Sequence, residues 1–228
     1  MVADGGNALM HDKFAVIDDA IVFTGSWDLS DSGVWRNNNN LVIIYSVRMA
    51  ENFGVELEEM FGPWRFGSGS PVTTPHVVLA LENVRVGTYS APEDGVAPRV
   101  LCILSGGEES MHFMAFSFTR DDFGRAREGK VPAGITVAGV AEEGMLFGKG
   151  RELFEWLQSR GVAVLADGNR YTMHHKVLTV AGETVVTGSY NFSAAAEEKN
   201  DENVLFMHSR AVAGRHMDEF MRIWRQAG

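Results

Sequence analysis

Residues 172–193 read TMHHKVLTVAGETVVTGSYNFS, and residues 9–30 read LMHDKFAVIDDAIVFTGSWDLS. They are one pattern written twice. Displaced by 163 positions, Met10-His11 falls on Met173-His174, Lys13 on Lys176, Thr24-Gly25-Ser26 on Thr187-Gly188-Ser189, and Ser30 on Ser193. The register extends to Ala3-Asp4-Gly5 on Ala166-Asp167-Gly168, and to Asn37 and Asn40 on Asn200 and Asn203. No gap interrupts roughly forty residues, which marks an internal duplication.

Outward from the second copy, strands alternate with helices. VRVGTY (84–89), MHFMAFSFT (111–119), ITVAGVA (135–141) and VAVLAD (162–167) read as strands; residues 96–110, 121–129 and 150–161 read as helices. After the His come MHHKVLTV, ETVVTGS and NVLFMH, three strands in succession, and then a closing helix, RAVAGRHMDEFMRIWRQA. The first copy has only this back half: strands near 10–17, 20–26 and 40–46, then the helix RMAENFGVELEEMFG. Residues 62–76, GPWRFGSGSPVTTPH, are rich in Pro, Gly and Ser and read as a linker. The expected fold class is α/β, a mixed sheet flanked by helices, duplicated with pseudo-two-fold symmetry and with the first repeat truncated. The expected division is 1–62, the back half of a first repeat; 63–83, a linker; and 84–228, a complete second repeat. A fragment, a late-started gene model, and a short form whose open sheet edge is covered in a homodimer are all expectations compatible with the short first repeat.

The net charge of −10 argues against broad adhesion to nucleic acid or anionic lipid. No apolar run is long enough to span a membrane. The compartment is cytoplasmic by default, or exported if a signal peptide preceded this start. A single cysteine, Cys102, allows no disulfide within the chain and is expected to be a small buried hydrophobe.

In a strand, residues i and i+2 share a face, so His11 projects with Lys13 and His174 with Lys176, while Asp12 and His175 point the other way. An imidazole beside an ammonium suits an anionic substrate, held by the Lys while the His attacks or moves a proton. The Lys also lowers the imidazole's pKa and keeps it neutral. The Gly-Ser pair offers backbone N–H and a hydroxyl suited to phosphate oxygens. With two copies, one imidazole attacks while the other protonates the leaving group and then activates water. No Cys/His cluster is present, so neither a metal site nor a cofactor is expected. His76, His112, His208 and His216 lie outside the motifs and read as structural.

The pattern H-x-K-x4-D-x6-G-S-x-N resembles the signature of the phospholipase D superfamily, the HKD family. Residues 11–28 supply His11, Lys13, Asp18, Gly25, Ser26 and Asp28; residues 174–191 supply His174, Lys176, Ala181, Gly188, Ser189 and Asn191. The resemblance implies a metal-independent phosphodiesterase that hydrolyses phospholipids through a phosphohistidine. The alternatives are an endonuclease of the same superfamily, cutting DNA or RNA, and a non-catalytic relic that binds phosphate or a partner. It also implies His11 as nucleophile and His174 as acid/base, with Lys13 and Lys176 on the phosphoryl oxygens. Ser26, Ser189, Asn191 and Asn39 are the expected phosphate-binding positions, Glu202 the carboxylate that orients a catalytic His, and Asp18 a structural motif residue. Three positions depart from the family: Asp28 for Asn, Ala181 for Asp, and Asn39 where repeat two has Glu202. An asymmetric site is the consequence.

Overall fold

The computed structural model describes residues 8–106, 110–126 and 135–228. Eleven strands and seven α-helices are found there. The first unit runs β1 (Phe14–Ile17), β2 (Ile21–Gly25), α1 (Asp31–Trp35), β3 (Leu41–Tyr45) and α2 (Val47–Phe61). A connecting stretch leads to β4 (Val78–Leu81), β5 (Val84–Ala91), α3 (Val96–Gly106), β6 (Ser110–Ala115), α4 (Asp121–Arg125), β7 (Thr136–Ala141), α5 (Lys149–Ser159) and β8 (Ala163–Ala166). The second unit closes the chain with β9 (Lys176–Val180), β10 (Thr184–Gly188), α6 (Ala194–Glu198), β11 (Glu202–His208) and α7 (Arg210–Ala227).

The duplication is visible element by element. The path β1-β2-α1-β3-α2 repeats as β9-β10-α6-β11-α7, in the register of the sequence repeat. Equivalent residues start equivalent helices: Ser30 and Ser193 accept from Gly33 N and Ala196 N, one cap for α1 and one for α6. The hairpin loops also match. Asp18 (φ 52°) and Ala181 (φ 53°) occupy the same left-handed turn position, one strand-length from the His-Lys pairs. Asp18 is exposed there, so the motif Asp shapes a turn.

Two sheets result. One is three-stranded, β1-β2-β3; the other is eight-stranded, β4-β5-β11-β10-β9-β6-β7-β8, with β6, β7 and β8 mutually parallel. Helices α3, α4 and α5 cover one face of the large sheet through Val100, Leu104, Phe123, Leu153 and Leu157. The other face packs on α7 through Phe220 and Ile223, and the same cluster takes in Met49 and Phe53 of α2. The two units therefore share one apolar layer. The outer face of the small sheet has no such cover: Ile17, Leu41 and Ile43 are exposed, whereas Val180 and Val204 at the equivalent positions of Ile17 and Leu41 are buried.

Two details differ from the sequence reading. Residues 78–81, inside the stretch read as linker, form β4, which pairs antiparallel with β5. Cys102 is exposed rather than buried: on α3 the buried positions are Val96, Ala97, Val100 and Leu104, and Cys102 falls on the opposite face. The segments expected to continue α3 past 106 and α4 past 126 lie partly outside the described residues. Among the described residues no helix is long and apolar enough to cross a membrane.

Candidate active site

His11 and Lys13 lie just ahead of β1, and His174 just ahead of β9, which opens at Lys176; here each copy crosses to the other. His11 N donates to Asp201 O (3.0 Å) and His174 N donates to Asn38 O (2.9 Å). Residues 38 and 201 are equivalents in the repeat, so the two bonds are reciprocal. Asn40 Nδ2 donates to Thr187 Oγ1 (2.8 Å), and Asn203 Nδ2 makes the reciprocal bond to Thr24 Oγ1. Each motif is thus fastened by the back half of its partner.

The imidazoles are oriented across the same boundary. His11 Nδ1 lies 2.7 Å from Glu202 Oε2. Ser189 Oγ donates to that same oxygen (2.6 Å), and Asn200 Nδ2 donates to Oε1 (3.2 Å). His174 Nδ1 lies 2.9 Å from Ser26 O and 3.2 Å from Asn39 Oδ1. A backbone carbonyl only accepts, so Nδ1 of His174 carries the proton and Nε2 presents a lone pair. The carboxylate partner fixes the same tautomer in His11.

Each Lys curls back on its own His: Lys13 Nζ donates to His11 O (3.1 Å) and Lys176 Nζ to His174 O (3.0 Å). Lys176 is almost wholly buried and lies 4.7 Å from the Phe116 ring centroid. Burial, with Lys13 nearby, pushes its ammonium well below the usual range. His174 packs edge-on against Phe116. Burial first, then the Lys176 charge, pushes its pKa down to about 3. The expected depression by Lys is present, but desolvation is the larger cause. Asp28 joins the two halves: its carboxylate is 3.4 Å from Lys13 Nζ and 3.6 Å from His174 Nδ1.

The family model described as "Cardiolipin synthase, PLD-like domain" matches residues 2–61 and 100–224, most of the chain. The chain belongs to this phospholipase D-like family. It is 30% identical over 133 residues to the mitochondrial cardiolipin hydrolase of Xenopus tropicalis, covering 58% of this chain and 63% of the frog protein. It is 26% identical over 154 residues to the phospholipase D of Rickettsia felis, covering 68% of this chain and 76% of that one. The chain therefore spans less than two thirds of the frog relative's length. Among solved structures, the phospholipase D family member Nuc of Salmonella typhimurium superposes with a TM-score of 0.60 at 28% identity, over 64% of this chain and 97% of Nuc. Phosphatidylserine synthase of Haemophilus influenzae shares the fold over 93% of this chain and 62% of its own, with a TM-score of 0.71 at 11% identity.

Within this phospholipase D-like frame, several expected phosphate ligands are otherwise engaged. Ser26 and Ser189 are fully buried. Ser189 Oγ serves Glu202 and accepts from Asn203 N; Ser26 Oγ serves Asn39 and accepts from Asn40 N. The Gly-Ser amides also stay in the sheet, with Ser26 N on Asn40 O and Ser189 N on Asn203 O. The glycines are required by that approach: a Cβ on Gly25 (φ 153°) would sit 2.3 Å from Asn40 O, and one on Gly188 (φ 153°) 2.1 Å from Asn203 O. Asn39 holds His174 and Gly33 O rather than an open site. Asn191 alone of the four keeps a carbonyl oxygen buried without a hydrogen-bond partner. Phe116, which touches both His174 and Lys176, was hidden in an aromatic strand pattern that reads as core.

Outside the site, His76 pairs with Glu51, His112 packs on Phe220, and His216 bonds Val212 O. Among the described residues no group of three or more His, Cys, Asp or Glu is placed to hold a metal ion.

Proposed function

We propose that the chain is a phosphodiesterase acting on phospholipids, with His11 as nucleophile and His174 as acid and base. The observation that supports this most is the tautomer arrangement: both Nδ1 atoms are tied back, which leaves both Nε2 atoms free for phosphorus and for the leaving oxygen. His11 Nε2 attacks phosphorus, the P–O bond to the leaving alcohol breaks, and His174 supplies its proton. Water then gives a proton to His174 and attacks the phosphohistidine, releasing His11 and a phosphomonoester. Lys13 and Lys176 hold the equatorial oxygens, and Asn191 donates to them from its amide nitrogen. Glu202 holds the His11 ring and stabilises the charge it acquires. Neutral His174 receives its proton with the anionic substrate, which offsets the desolvation that holds its pKa down.

Ser26, Ser189 and Asn39 act one step back, as positioning residues. The lipid reading is supported by the apolar wall beside His11, formed by Met10, Phe14 and Phe23. A second copy of the chain is the proposed cover for the open face of the small sheet, readable as a dimer in sedimentation. The function is tested with bis(p-nitrophenyl) phosphate in EDTA, comparing wild type with His11→Ala and His174→Ala. Turnover that survives EDTA and is lost in either variant is expected. Cleavage of oligonucleotides in preference to phospholipid vesicles would make the chain a nuclease. No turnover of any diester by folded protein would make it a binding relic.

A further inference from the structure

Position 28 is where the two halves part company. The equivalent residue is Asn191, so the fold itself demands no acid there. Asp28 is partly exposed and lines an open cleft of about 430 Å³ together with His11, Lys13, Trp27, Met10 and Leu41. Its neighbour Trp27 is half-buried in the same wall, whereas the equivalent Tyr190 is buried, with its hydroxyl on Glu197. The cleft thus holds a cation for a phosphate, a carboxylate within reach of that cation, and the indole of the adjacent Trp27 in its lining.

A diester anion entering this cleft meets the negative charge of Asp28. The Lys13 contact of 3.4 Å partly masks that charge, and the incoming phosphate competes for the same ammonium. Once Lys13 turns to the phosphate, Asp28 keeps only its 3.6 Å contact with His174 Nδ1 and faces the substrate with its charge less masked. A substrate that carries its own positive charge next to the phosphate removes this penalty. Its phosphate takes Lys13, and its cation takes Asp28 with the Trp27 ring as a second attraction.

We propose that Asp28 is a specificity-determining residue, which selects phosphodiesters whose retained alcohol bears an ammonium or quaternary ammonium group. This rests on the phosphodiesterase reading above and adds the charge class of its substrate.

The test uses two esters with one reporter leaving group: p-nitrophenyl phosphorylcholine, and its neutral-tail isostere p-nitrophenyl 3,3-dimethylbutyl phosphate. Wild type is expected to favour the choline ester in kcat/KM by roughly tenfold, the discrimination one matched charge supplies. Asp28→Asn is expected to lower the choline ester and raise the dimethylbutyl ester, so that the preference disappears. Trp27→Leu should weaken only the choline ester. A preference unchanged in Asp28→Asn, or an equal loss on both esters, would overturn the assignment. If wild type turns over neither ester, the phosphodiesterase reading fails. Calorimetric titration with phosphocholine and with 3,3-dimethylbutyl phosphate then decides the role of Asp28 alone: the preference for phosphocholine must be present in wild type and lost in Asp28→Asn, and its absence contradicts the assignment.

Discussion

The carboxylate of Glu202 holds Nδ1 of His11 at 2.7 Å, although the two residues belong to opposite copies of the motif. The reciprocal position, Asn39, holds His174 with an amide oxygen at 3.2 Å. Each imidazole is therefore set by the other copy, and only one has a carboxylate behind it.

That asymmetry predicts unequal mutants. Glu202→Gln preserves shape but removes the charge that steadies His11 as it becomes cationic. It is expected to lower kcat by roughly 10²- to 10⁴-fold, with KM little changed. Asn39→Asp gives His174 a carboxylate and raises its pKa from about 3. The kcat/KM profile should then extend to higher pH. An unchanged profile in Asn39→Asp would remove His174 from the acid role.

A second asymmetry lies behind the site. His175 Nε2 bonds Glu219 Oε1 at 3.0 Å. In the first copy the equivalents are Asp12 and Glu56, two acids. Burial, then Glu56, pushes Asp12 well up, and its carboxyl oxygens have no hydrogen-bond partner. Burial likewise pushes Glu56 up to about 7 and Glu93 up to about 8. A carboxyl whose folded pKa lies above its unfolded value keeps its proton in the folded chain after the unfolded chain has lost it. Its effect on stability is thus absent below the unfolded pKa of 4.5 and grows as a loss with rising pH, levelling off above about 7 to 8. For one carboxyl moved from 4.5 to about 7 the loss is on the order of 3 kcal/mol. Asp12→His rebuilds the His175–Glu219 arrangement and should shrink the difference between chemical-denaturation curves at pH 5 and pH 8. An undiminished difference would place its origin elsewhere.

The hairpin turn supplies a stability prediction remote from chemistry. Ala181 sits at φ 53°, where an alanine is strained and an asparagine is tolerated. Ala181→Asn is expected to stabilise by about 1 kcal/mol, with kcat and KM unchanged. A change in kcat would show that this turn communicates with the site.

Much of this was legible in the sequence because a duplication states its own geometry. The offset that aligns His11 with His174 also aligns β1 to α2 with β9 to α7, and the hydroxyl caps Ser30 and Ser193 come with it. The same offset pairs His11 and Lys13 with His174 and Lys176, whereas Glu202, matched by Asn39 in the first copy, stood out only through the family resemblance. What repeat spacing cannot carry is contact between the copies. The pairing of Glu202 with His11, rather than with His174, follows from the crossing strands and from bonds such as Asn40 to Thr187. The hydroxyls of Ser26 and Ser189 suit a phosphate by chemistry alone; tertiary packing closes them over and turns them to the residues that hold the imidazoles. Phe116 gave no signal, because a half-buried aromatic in an apolar strand looks like any other packing residue until the strands are assembled. Cys102 misled because its apolar neighbours occupy the other side of α3.

The division of labour between the two imidazoles is the central claim, and trapping the intermediate tests it most directly. His174→Ala removes the group that activates water but leaves the nucleophile, and p-nitrophenolate departs without a proton. Rapid mixing with bis(p-nitrophenyl) phosphate should therefore release about one equivalent of p-nitrophenolate in a burst. Peptide mapping after a quench that preserves phosphoramidates should then find the p-nitrophenyl phosphoryl group on His11. A phosphoryl group found on His174 in the His11→Ala variant instead, or steady turnover in wild type with no histidine ever modified, would contradict the account.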